Sequence, residues 1–163
     1  MNHSFPAGVW PVMLTPFTED NHVDDEALEK LVNWYIQRGV DGLFAVCQSS
    51  EMFFLSLEER VHITEAVVRC AAGRVPVISS GQVSDTLEGQ IEEVQAIAKA
   101  GADAVILITN RFARETEDDE VWFSNLSRLL DAIDPSIPLG FYECPYPYKR
   151  LITPEMLRRC AET

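Results

Sequence analysis

Basic residues are scarce in this chain. Lys and Arg number 13 against 26 Asp and Glu, a formal net charge of −13. A nucleic-acid partner needs a basic stripe, so none is expected. The acidity reads as solvated helix faces. No apolar run approaches the roughly 18 residues of a membrane span. The start, Met1-Asn2-His3-Ser4-Phe5-Pro6, lacks the basic opening and apolar stretch of a secretory signal. Cysteine is limited to Cys47, Cys70, Cys144 and Cys160, with no C-x-x-C pair. His3, His22 and His62 lie near no Cys at ligand spacing, so no metal is expected. Reduced thiols in a cytoplasm are the simplest reading. Glycine is sparse too: neither G-x-G-x-x-G nor a P-loop occurs, and no cofactor is expected.

What the chain does have is apolar content, 47% of 163 residues, enough for one domain over 1–163 with a real core. Five short runs stand out: Val9–Leu14, Leu43–Val46, Val75–Ile78, Ala104–Ile108 and Ile137–Tyr142. Each is nearly continuous rather than alternating, as parallel strands covered by helices are. Between them run helical stripes, such as Leu28, Leu31, Val32, Tyr35 and Ile36, or Phe123, Leu126, Leu130 and Ile133. Ser56 with Glu59 makes a capping box, Ser84-Asp85 opens a third helix, and Thr153-Pro154 opens a fifth that runs to Thr163. Gly39, Gly73 and Gly101 suit helix stops.

Five βα units permit two α/β folds. One is a complete five-stranded flavodoxin-like sheet. The other is a (β/α)8 TIM barrel, of which this chain supplies the N-terminal five units and ends before strand 6. The first needs a phosphate-cradling loop or an acidic pocket at its switch point. Thr15-Pro16-Phe17-Thr18-Glu19-Asp20, after the first run, is not glycine-rich.

In order and spacing, the segments resemble the dihydrodipicolinate synthase / N-acetylneuraminate lyase family. The likeness rests on Thr15-Pro16-Phe17, Gly39-Val40-Asp41-Gly42-Leu43, Ser49-Ser50-Glu51, Leu55–Arg60, Gly73–Ile78, Gly101–Val105 and Tyr142-Glu143-Cys144-Pro145. The resemblance implies a TIM barrel and a class I aldolase or lyase. Such an enzyme forms a Schiff base between a lysine and pyruvate or another 2-keto acid. It implies that Gln48, Ser49 and Ser50 hold the keto acid's carboxylate, where the family has Thr-Thr-Gly or Ser-Thr-Gly. It also implies that Tyr142 is the catalytic proton relay.

Three departures from the family pattern follow. Phe112 stands where some synthases carry a second tyrosine, and phenylalanine cannot relay a proton. Pro147 stands where the synthase has an arginine; Arg150, slightly further on, is either an acid-binding group or an exposed salt-bridging residue. Lys30, Lys99 and Lys149 are the only lysines, and none matches the family's Schiff-base position, which falls beyond Thr163. The isolated chain is therefore expected to be inactive, and the family's habit points to a homo-oligomer. The alternative is an inactive truncated barrel that oligomerises or binds. Cys47 and Cys144 follow strand ends; they are either reactive thiols or small residues fitted under loops.

Overall fold

The computed structural model describes residues 5–162. His3 and the helix end expected at Thr163 lie outside these residues. Four parallel strands form one sheet: β1 (Leu43–Phe44), β2 (Val77–Ser80), β3 (Ala104–Ile108) and β4 (Leu139–Tyr142). Five helices accompany them: α1 (Asp25–Gln37), α2 (Leu57–Ala71), α3 (Leu87–Lys99), α4 (Asp119–Leu130) and α5 (Pro154–Ala161).

Strand order decides between the two folds. It is β1-β2-β3-β4, each pair parallel. Right-handed crossovers between consecutive neighbours put every helix on one face, which curves a sheet into a barrel. A flavodoxin-like sheet would break the sequential order and carry helices on both faces. That alternative is set aside. The clusters agree: one joins Leu28, Val32, Ile63 and Val67 of α1 and α2 to Leu43, and another joins Val94, Ile97, Trp122 and Leu129 to Val105 and Leu107. A third, of Phe44, Cys47 and Ile106 with Val12, Ile78 and Tyr142, includes no helical residue. It lies on the concave face.

The first expected strand, Val9–Leu14, is reduced to a single parallel bridge between Val12 and Phe44. Proline has no N–H to donate, so Pro11 contributes only its carbonyl, to Phe44 N–H at 3.1 Å. Met13 N–H reaches Phe44 O at 2.9 Å, and the segment still borders β1.

Helix ends follow the local chemistry. Ser56 Oγ accepts from Glu59 N–H while Glu59 returns to Ser56 N–H, the expected capping box. Thr153 caps α5 with Pro154 in its first turn, and α5 spans Pro154–Ala161. The opening of α3 is shifted: Thr86, not Ser84, is its cap. Ser84 is already engaged, its N–H and hydroxyl both bonded to buried Glu93. Gly39 and Gly101 adopt φ of +79° and +92°, the left-handed stops their sequence positions predict.

Candidate active site

The site is built at the exits of β1 and β4, on the C-terminal side of the sheet. After β1 the chain makes a short 3₁₀ turn over Gln48–Ser50. Ser50 is completely buried, and it organises this turn. Its Oγ accepts from Cys47 N–H at 3.1 Å and faces two carbonyls, Met13 O at 2.5 Å and Ala45 O at 3.1 Å. One hydroxyl proton serves both, so the side chain has no second proton to donate to a carboxylate. Ser50 O in turn accepts from Thr15 Oγ1 at 2.8 Å. In this arrangement the Ser50 side chain ties the Val12 segment to β1.

The next two side chains differ. Ser49 is exposed, and its hydroxyl has no partner among the described residues. Gln48 is half-buried, and its Oε1 lies 3.3 Å from Cys144 Sγ, across 96 positions of sequence. That contact joins the β1 exit to the β4 exit. Its Nε2 has no partner among the described residues.

Tyr142 is the last residue of β4 and is half-buried. Its ring meets Phe44 edge-on at 6.0 Å. Its phenol lies close to the thiols of Cys47 and Cys144. Burial, and then the proximity of these two groups, holds the phenol well above its ordinary range. At neutral pH it is an un-ionised O–H that can donate and accept. Burial also pushes both thiols up, which keeps them protonated.

Arg150 is placed elsewhere. Its guanidinium donates to Arg114 O and Glu117 O, at 3.2 and 3.0 Å, and to Asp119 at 2.8 Å. The side chain is only 12% exposed, so it is salt-bridged but not exposed. It clasps the loop before α4. Phe112 is core, 1% exposed and packed edge-on against Trp122 at 5.3 Å. The lysines are remote: Lys30 is an exposed partner of Glu26 on α1, Lys99 is an exposed residue ending α3, and Lys149 is exposed.

Sequence reasoning places Cys144 at a strand end and leaves its contact with Gln48 unseen, because nothing local links the two. Arg111 escapes it altogether. Its guanidinium pairs with Asp85 at 2.5 Å, lies 5.3 Å from the Phe53 ring centroid, and sits close enough to Cys144 to favour the thiolate. Its position beside Phe112 was the available signal.

A model of the dihydrodipicolinate synthetase family matches residues 5–127. The chain belongs to this family. A 4-hydroxy-tetrahydrodipicolinate synthase of Brucella suis is 36% identical over 133 residues, covering 82% of this chain and 44% of that protein. A crystal structure of dihydrodipicolinate synthase superposes with a TM-score of 0.82 at 32% identity, over 95% of this chain and 52% of the other. The chloride-inhibited synthase of Acinetobacter baumannii, solved with pyruvate, gives a TM-score of 0.75 at 30% identity, over 85% and 46%. The chain spans about half the length of the relatives it matches. Dihydrodipicolinate synthetase membership accounts for the consecutive parallel strands and the single helical face.

Proposed function

We propose that this chain carries the keto-acid pocket and proton relay of a class I lyase or synthase acting on pyruvate or a related 2-keto acid. The observation that carries the reading is the Gln48–Cys144 contact, which brings the β1 loop beside the end of β4 and Tyr142. Ser49 Oγ and Gln48 Nε2 supply donors to the substrate's carboxylate; in a partly dry site such donors are worth more than in water. Tyr142 shuttles a proton as the carbon–carbon bond is made or broken, a task suited to a phenol kept neutral. Schiff-base chemistry also needs an amine whose pKa is lowered by its pocket. Lys30, Lys99 and Lys149 lack that setting, so the amine comes from outside these 163 residues, and the isolated chain is inactive.

Incubation with pyruvate and borohydride, followed by intact mass, tests this. The 18.3 kDa species should stay unmodified, while any heavier species containing this sequence should carry a reduced pyruvyl group. An adduct on Lys149 in the 18.3 kDa chain would sink the proposal.

One observation favours an additional oligomerising role. Among the described residues β4 is paired on one side only, by β3. Its other side borders a groove of 820 Å³ lined by Leu139, Phe141, Ile152, Leu157 and Cys160. Open strand edges with apolar flanks invite pairing. Light scattering on the same sample should then return more than the monomer mass; a clean monomer would count against it.

A further inference from the structure

We infer that Cys144 is a positioning residue that sets which end of the Gln48 amide faces the keto acid. The inference rests on the function proposed above and concerns how that pocket is kept in register. A glutamine side chain has three rotatable bonds and two chemically opposite ends, an acceptor oxygen and a donor NH₂. Only the NH₂ end can serve a carboxylate; the oxygen would repel it. Something must hold the amide the right way round, and the β1 turn offers nothing, because Ser50 is fully engaged with Met13 and Ala45.

Cys144 meets the requirement. It is completely buried, and its backbone is fixed at both ends. Its N–H reaches Tyr142 O at 2.9 Å, and its carbonyl accepts from Asn110 Nδ2 at 3.0 Å. From this anchored position Sγ lies 3.3 Å from Gln48 Oε1 and 3.4 Å from Tyr146 O, two acceptors facing one thiol proton. The thiol donates, the amide oxygen turns toward it, and Nε2 is left on the other side without a partner among the described residues. The same thiol lies near the Tyr142 phenol. One side chain thus contacts the carboxylate-binding amide and sits beside the relay phenol. A serine could reproduce the donor, and an alanine could not.

The test uses the full chain, with pyruvate as probe, in the variants Cys144→Ala, Cys144→Ser and Gln48→Ala and in the double variant with Cys144→Ala. The side-chain NH₂ resonances of Gln48, read without ligand, report the amide's orientation. Cys144→Ala should shift and broaden them and weaken pyruvate binding about five-fold, the worth of one modest hydrogen bond. Cys144→Ser should hold affinity within about two-fold of the parent chain. In the Gln48→Ala background, Cys144→Ala should change affinity by less than about two-fold, since its effect passes through the amide. Unmoved Gln48 resonances in Cys144→Ala would overturn the inference. So would an equal loss of affinity with and without Gln48, which marks a merely structural cysteine. Failure of the parent chain to bind pyruvate would instead sink the proposed function, while the ligand-free resonances still decide the positioning.

Discussion

The exits of β3 and of β1 are equally rich in polar residues, yet they use them differently. At the β3 exit most polar groups bond to the chain itself, although Asn110 Oδ1 and Arg111 Nε are buried without partners among the described residues. Thr109 Oγ1 donates to Arg150 O at 2.7 Å, and Asn110 Nδ2 faces the carbonyls of Cys144, Tyr146 and Tyr148. Tyr148 O–H faces the carbonyls of Asn110 and Ala113, and Trp122 Nε1 donates to Thr109 O. At the β1 exit, Ser49 Oγ and Gln48 Nε2 have no partner among the described residues, and Gln48 Oε1 reaches Cys144 beyond the end of β4. A polar residue at a strand end therefore does not by itself mark a site. What sets the β1 exit apart is that its unpartnered hydroxyl, Ser49, is exposed, whereas Asn110 Oδ1 and Arg111 Nε are buried.

The comparison can be broken first at its scaffold side. The β2 exit resembles that of β3. Glu93, 4% exposed, accepts from Val83 N–H at 2.8 Å, Ser84 N–H at 3.0 Å and Arg60 at 2.7 Å. Glu93→Ala strands the Arg60 guanidinium in the interior and leaves those loop donors unpaired. It should cost about 3–5 kcal/mol in urea unfolding. A loss under about 1 kcal/mol would mean that this exit is not held as described. A smaller effect separates two adjacent serines. Ser50→Ala removes the hub of the β1 turn and should cost about 1–3 kcal/mol. Ser49→Ala should change stability by less than about 0.5 kcal/mol while weakening pyruvate binding. Equal stability losses at the two positions would erase the distinction between scaffold and site.

Much of the architecture was legible from the chain alone. Parallel strands buried on both faces leave continuous apolar runs, and Ala104–Ile108 was read to its ends because all five residues are buried. The Ser56 box and the Thr153 cap were legible because capping is decided within four residues. The Val9–Leu14 run was over-read: its apolar pattern says strand, but Pro11 interrupts the ladder. The site was legible in its residue types and not in its allocation. Ser49 and Ser50 are the same residue type in succession, and what separates them includes the carbonyl of Met13, 37 positions away. Arg150 has its partners 31 to 36 positions upstream, so its burial has no local signature. Gln48 and Cys144 meet across 96 positions, a contact that no spacing rule anticipates.

The central claim is that the β1 and β4 exits form one keto-acid pocket while the β3 exit is scaffold. Titrating the isotope-labelled chain with pyruvate and following residue-resolved spectra tests it most directly. The account predicts saturable shifts at Gln48, Ser49 and Tyr142, with Thr109, Asn110 and Tyr148 unmoved. Shifts centred on Asn110 and Tyr148, or none at Gln48 and Ser49 at saturating pyruvate, would contradict it.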